Sequence, residues 1–550
     1  MNRKRMRIDG WTLISIICFV YFGIFFIYPI SKILINSVYD SAAGTFQFDT
    51  FIKFFSKKYY TNTIINSLKV TTLATFLTCA AGTALAYISR TIKIKGKGLI
   101  DIMLMISVVS PPFIGAYSWV ILLGRAGLIT GLLKKIGINY GGIYGFGGIL
   151  LVFTLKLMPL VYLYVSGALK NMDSSLIEAA ESLGSKGWNR IREIVIPLIL
   201  PTILGSGLLV FMRILADFGT PKLIGEGYRT LPTLIYDSFI GDVSNDKTLA
   251  ATISVVIILF TTVIFLLQRY VSGRKKIEMS ALRPVEPRKE TGVKNVLAHL
   301  FVYLCAGFAI LPMLVVLYNS FQKTKGTLFI GGFTLENYTK SLETMGMTIK
   351  NTFLFSAIAL AIIITLGVVI AYTSVRRRNK LTSFLDVISM FPYIIPGSVL
   401  GIALILSFNK KPLLLSGTAV IIIMAWVIRR LPYTIRSSEA ILRQIDLGVE
   451  EASLSLGANG FKTFVCITLP MMASGIMSGA IMSWLSIITE LSASVMLWVT
   501  STQTITIAIY FQVMDGNYGT ASALSSMLSL LTVCVLLLFF KLTGKREIEL

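Results

Sequence analysis

The side chains with chemical capacity fall into two groups: a polar pattern that occurs twice, and a few charges set inside apolar runs. The pattern reads EAAESLG at 178–184, ending in IVIP at 194–197, and EASLSLG at 451–457, ending in ITLP at 467–470. Both copies keep the same spacing from Glu to Gly and from Gly to Pro. No nucleophile and base set and no metal cluster accompanies either copy, so the pattern suits recognition of a partner and not bond-breaking. The charges inside apolar runs are Lys156, Arg213, Asp217, Arg429 and Glu490. Charges are costly in lipid and normally face protein or water. Two kinds of work are open to them: holding the halves together as paired charges or keeping to helix ends, or lining of a polar pathway.

The elements that must position these residues are membrane spans. Of 550 residues, 55% are hydrophobic and 14% charged, with a mean hydropathy of +0.76, far from a soluble globular composition. Apolar runs long enough to cross a bilayer core recur at 11–35, 64–88, 100–123, 148–169, 201–223 and 248–268. A second set follows at 296–318, 352–374, 384–407, 415–435, 472–497 and 520–540. The expected fold is therefore an all-α polytopic membrane protein of about 12 transmembrane helices, six per half. Arg213, Asp217 and Glu490 interrupt the spans 201–223 and 472–497, whose outer ends run into Gly- and Ser-rich loops.

Basic residues set the expected orientation. Arg3, Lys4, Arg5 and Arg7 precede the first span, Arg90, Lys93, Lys95 and Lys97 follow the second, and Arg274, Lys275 and Lys276 follow the sixth. Arg376, Arg377, Arg378 and Lys380 follow the eighth, and Lys541, Lys545 and Arg546 close the chain. All fall on one side, which the positive-inside rule makes cytoplasmic; both termini and both copies of the pattern lie there. The net charge of +24 is then a topology signal and an attraction to anionic lipid, and no nucleic-acid partner is expected. The first apolar run has the length of a retained helix and is not followed by a small-residue cleavage site.

The duplication is wider than the pattern. Asn66, Gly82, Ala86, Tyr87 and Pro111 correspond to Asn351, Gly367, Ala371, Tyr372 and Pro396 at one offset. Lys156, Pro159, Asp173, Glu178, Gly184, Gly187, Pro197 and Asp217 correspond to Arg429, Pro432, Asp446, Glu451, Gly457, Gly460, Pro470 and Glu490 at a second. The shift places an extra stretch near 124–147, either dipping back into the protein or running as a longer surface connection. Units with an even number of spans share an orientation, so a pseudo-twofold axis along the membrane normal can relate them and a pathway can form between them. The domains are read as 1–268 and 296–550, joined by a cytoplasmic linker at 269–295 with Arg283, Pro284 and Pro287.

Each repeated loop, 170–200 and 443–473, reads as helix, turn and helix. In the first, residues 174–183 form a short helix with Asp173 or Ser174 as N-cap. Gly184 then permits a turn or a close approach, and Pro197 with Pro201 leads into the next span. Taken alone, one copy could be an ordinary capped turn. Two copies at matched spacing suit two equivalent grooves of a symmetric partner.

These residues resemble the EAA loop of binding-protein-dependent ABC importer permeases: Glu-Ala-Ala, three residues, Gly, nine residues, Ile-x-Leu-Pro. Glu178, Ala179, Ala180, Gly184, Ile194 and Pro197 match, with Ile196 in place of Leu. Glu451, Ala452, Gly457, Ile467, Leu469 and Pro470 match, with Ser453 in place of Ala. The whole chain is similar to the fused two-domain permeases of ferric-iron importers, of the type I architecture. The resemblance implies that each loop is the coupling helix for one subunit of a cytoplasmic ABC ATPase homodimer, which uses ATP and Mg. It also implies an extracytoplasmic solute-binding protein and a place in a bacterial plasma membrane.

The chain itself has no G-x-x-x-x-G-K-[ST] phosphate loop, so no cofactor is expected on it and the energy source must be another polypeptide or an ion gradient. Cys18, Cys79, Cys305, Cys466 and Cys534 lack metal or redox spacing and suit packing, and His299 at the start of a span suits an interface, so no metal site is expected. A secondary transporter of 12 helices is the competing class, although it has no use for two docking loops. For the solute, iron rests on analogy; thiamine, a phosphonate or another phosphorylated solute stays open.

Overall fold

The computed structural model describes residues 10–40, 45–46, 48–110, 112–185, 187–240, 246–274 and 287–543. Arg3, Lys4, Arg5, Arg7, Pro111, Lys275, Lys276, Arg283, Pro284, Lys545 and Arg546 lie outside them. Among the described residues, nine helices are long and apolar enough to cross a membrane, or eleven when each of two bent pairs is one span. Every expected span falls on helix. The expected tenth span is the helix Ala419–Gln444, whose Arg429, Arg430 and Arg436 keep it off an apolar count. The expected third is interrupted between Lys97–Val109 and Pro112–Leu123. The ninth is broken between Lys380–Ile394 and Gly397–Phe408 with a bend of 111°, where Pro396 disfavours helix at the residue before it.

The spans expected at 201–223 and 472–497 end early. Helix stops at Leu215 and at Ile488, and short helices Gly219–Ile224 and Ser494–Leu497 follow. Asp217 and Glu490 lie at these breaks, and each accepts a backbone N–H of the segment that follows. A hairpin of two short strands follows the first helix of each half, Tyr39–Asp40 with Thr45–Phe46 and Gln322–Lys325 with Leu328–Phe333. The stretch 124–147 runs over the surface: the helix Leu128–Lys135 is followed by largely exposed residues. Hydrogen bonds from Ile143 N to Leu123 O (2.9 Å) and from Gly145 N to Ile224 O (2.9 Å) hold its ends.

In lipid, apolar helices gain little by leaving the solvent, so close packing and small residues decide which of them touch. Gly82 and Gly367 do this at matched places. A Cβ on Gly82 would lie 2.7 Å from Val161 Cβ, and one on Gly367 would lie 2.8 Å from Thr434 Cγ2. The second and fourth long helices of each half are thereby pressed together.

The halves exchange their first helices. Gly10–Val38 of the first half packs on the second: Trp11 stacks 4.6 Å from Tyr372 and 5.1 Å from Phe464, and Phe25 lies 5.7 Å from Phe408. Gly292–Ser320 of the second half packs on the first, burying Ala298, Val302 and Ala306 among Val152, Leu160 and Trp119. The largest apolar core mixes residues of both halves, including Phe22, Tyr117, Trp426 and Tyr510.

Candidate functional site

Both repeated loops close in the same way. Ser175 N donates to Asp173 Oδ1 at 2.9 Å and Gly448 N to Asp446 Oδ1 at 2.6 Å, so an aspartate caps each of the helices Ser174–Ser182 and Leu447–Ser455. Each helix ends in a Schellman turn: Ser185 N donates to Ala180 O at 2.9 Å, and Ala458 N to Ser453 O at 3.2 Å. Such a turn requires a left-handed residue, and Gly184 (φ +87°) and Gly457 (φ +86°) provide it.

The turn throws apolar side chains outward at matched positions. Leu183 is 89% exposed and Leu456 90%; Trp188 and Phe461 follow at 67% and 65%. Glu178, Ala179, Glu451 and Ala452 are exposed beside them, while Ala180 and Ser453 face inward. Two large apolar residues exposed to solvent in one loop, with an exposed carboxylate, form a face not covered by the described residues.

The loops are fastened to the body differently. In the first, Glu181 pairs with Arg190 and with Arg288 (3.1 Å) of the stretch joining the halves. In the second, Ser453 and Thr463 share a hydrogen bond of 2.9 Å, and buried Glu450 takes Arg376 at 3.0 Å and the Tyr372 hydroxyl at 3.2 Å. The substitution of Ser453 for alanine therefore has a local partner.

Pro197 and Pro470 sit in the first turn of helices Ile196–Leu215 and Leu469–Met471, each after a widened π turn, Ile191–Val195 and Phe464–Thr468. Proline has no N–H and its ring crowds the carbonyl four residues back. One extra residue in the turn relieves that crowding. The same arrangement precedes Pro29, after Gly23–Ile27.

Lys156, Arg213, Asp217, Arg429 and Glu490 all line one cavity of about 230 Å³ between the halves. Lys156 Nζ lies 3.0 Å from Asp217 Oδ2, and Arg429 Nη1 lies 2.6 Å from Glu490 Oε2. Each acid also accepts a backbone N–H three residues on: Thr220 N at 2.8 Å from Asp217 Oδ1, Ala493 N at 2.9 Å from Glu490 Oε1. Arg430 is a second partner of Glu490. Arg213 has no carboxylate partner among the described residues; the Tyr164, Tyr393 and Tyr433 hydroxyls are its polar neighbours.

Among the described residues no group of three His, Cys, Asp or Glu could hold a metal ion. His299 accepts from Lys95 N at 3.1 Å, a bond between the halves. The cysteines are free, with Cys18 buried in the core.

The sequence model of the "Binding-protein-dependent transport system inner membrane component" family matches residues 77–277 and, a second time, residues 363–545. The chain belongs to this family. Each match carries one repeated loop and one of the two charge pairs. This permease is 29% identical to the "Ferric transport system permease protein FbpB" of Actinobacillus pleuropneumoniae, over 98% of this chain and 78% of that protein. It is 29% identical to the "Putative ferric transport system permease protein FbpB 1" of Haemophilus influenzae, over 92% and 81%. Half of the chain suffices for a shorter relative, the "Putative 2-aminoethylphosphonate transport system permease protein PhnU" of Salmonella typhi, at 26% identity over 48% of this chain and 91% of that one. Family membership sets the permease apart from secondary transporters.

Sequence reasoning brought forward five cavity residues from their charge alone, but missed Arg430, Tyr393 and Tyr433 of the same lining. The adjacent arginines 429 and 430 were a legible signal, since one carboxylate at 490 cannot neutralise both. The tyrosines carried none, because an aromatic in an apolar helix is ordinary.

Proposed function

We propose that this permease forms the translocation pathway of an ATP-driven importer for ferric iron. The supporting observation is the similarity to ferric transport permeases along nearly the whole chain, both halves in order. In this reading an extracytoplasmic binding protein delivers the solute, and the cavity holding Lys156, Arg213, Asp217, Arg429 and Glu490 is the crossing point between the halves.

The face formed by Glu178, Ala179, Leu183 and Gly184, with its counterpart Glu451, Ala452, Leu456 and Gly457, meets the ATPase. Ala180, Pro197 and Pro470 act from within the loops by fixing their shape. Two equal faces suit a homodimer of ATPase subunits, each subunit binding ATP and Mg and hydrolysing the nucleotide away from this chain. The loops, both termini and the residues joining the halves are then cytoplasmic, in a bacterial plasma membrane.

The test is ATP hydrolysis by the assembled importer in proteoliposomes, with its binding protein supplied empty or loaded with ferric iron. Ferric loading should raise the rate several-fold; a rise with thiamine or a phosphonate and none with iron would overturn the iron assignment.

A further inference from the structure

The cavity between the halves carries four cations, Lys156, Arg213, Arg429 and Arg430, against two carboxylates, Asp217 and Glu490. The balance is not spread evenly over the duplication. Lys156 with Asp217 and Arg429 with Glu490 are the same pair in two copies, and each pair is neutral. Two positive charges remain in excess: Arg213 and Arg430 stand where the opposite half has Ser486 and Leu157, Arg213 without a carboxylate partner among the described residues and Arg430 sharing the single charge of Glu490 with Arg429.

The aromatic hydroxyls follow the same rule. Tyr393 and Tyr433 stand where the opposite half has Val108 and Leu160, their rings meet edge to face at 5.6 Å, and both line the cavity with Arg213. Arg213, Arg430, Tyr393 and Tyr433 thus form one unrepeated polar face on the cavity, drawn from both halves.

A guanidinium not neutralised by a carboxylate repels a bare metal cation. It binds carboxylate, phosphate or phosphonate oxygens through paired N–H donors, and phenol hydroxyls add further donors. We propose that the solute crosses this cavity as an oxyanion-bearing species, recognised by Arg213, Arg430, Tyr393 and Tyr433. Iron would then cross inside an anionic oxygen-ligand complex and not as the free ion. The inference rests on the permease reading above and is independent of whether iron is the cargo.

The assembled importer in proteoliposomes is offered ferric citrate carrying separate labels on iron and on carbon, labelled aminoethylphosphonate, and labelled thiamine, a cation. Uptake of both labels of ferric citrate supports the inference together with the iron reading. Uptake of the phosphonate without iron supports the inference and removes the iron reading. Iron entering without its carbon label, or thiamine entering, overturns the inference.

For the solute that is taken up, Arg213→Gln should lower initial uptake roughly tenfold, the loss of a charged hydrogen-bond donor. Arg213→Lys, which keeps the charge but loses the paired donors, should lower uptake by less than Arg213→Gln does. Equal uptake by the parent and Arg213→Gln, or equal loss in the Gln and Lys variants, would contradict recognition through charge.

Discussion

Asp217 and Glu490 hold equivalent places in the two halves: each ends a long helix, accepts the N–H three residues on, and pairs with a base from a neighbouring helix. Each acid thereby lies just beyond a helix end, holds the backbone of the segment that follows and neutralises a charge at the cavity wall. Each pair joins two helices of one half.

Loss of the two acids should differ in consequence. Glu490 faces both Arg429 and Arg430, so Glu490→Gln leaves two buried cations unneutralised; breaking a buried pair costs about 3–5 kcal/mol. Asp217→Asn leaves only Lys156. Thermal unfolding of the purified permease in nanodiscs should show the larger fall in melting temperature for Glu490→Gln, and the reverse order would contradict this account.

Close packing at Gly82 and Gly367 gives a second expectation. Gly82→Leu and Gly367→Leu force the paired helices apart, and overpacking of this kind costs roughly 1–3 kcal/mol. Each should lower the melting temperature, whereas Gly205→Leu, at a glycine with open space around it, should not. Melting curves of the three variants decide it.

The exposed leucines of the repeated loops make a third. Leu183→Ser and Leu456→Ser change side chains that are almost fully exposed, so stability should hold while affinity for the ATPase falls. Burial of a leucine is worth roughly 1.5–3 kcal/mol, and titration of the ATPase onto the permease in nanodiscs should show at least a tenfold weaker Kd, as this range implies. Unchanged affinity in both variants would remove these leucines from the docking face.

Orientation gives a fourth. Single cysteines at Leu183 and Leu456, in a permease otherwise without cysteine, should react with a membrane-impermeant maleimide only when the cytoplasmic face is open to it. Labelling of intact cells at either position would reverse the assigned topology.

Much of this arrangement was legible in the residues. The repeated Glu, Gly and Pro gave both loops with their caps and left-handed glycines, because caps and turns are local. The equivalence of Lys156 with Arg429 and of Asp217 with Glu490 was read from their spacing, but that each base meets the acid of its own half was not. The exchange of first helices was not legible: Trp11 meets Tyr372 and Phe464 across hundreds of residues, and an apolar helix face does not name its partner. The early ends at Leu215 and Ile488 were hidden for a related reason. A carboxylate inside an apolar run reads as a charge, and its use as a cap depends on the backbone that follows it.

The most direct test of the central claim, that two loops couple this permease to an external motor, is paired measurement of solute uptake and ATP hydrolysis in the reconstituted importer carrying Glu178→Lys and Glu451→Lys. The account predicts that the permease remains folded in the membrane while uptake per ATP hydrolysed falls by about tenfold or more. Uptake per ATP equal to that of the parent would contradict it.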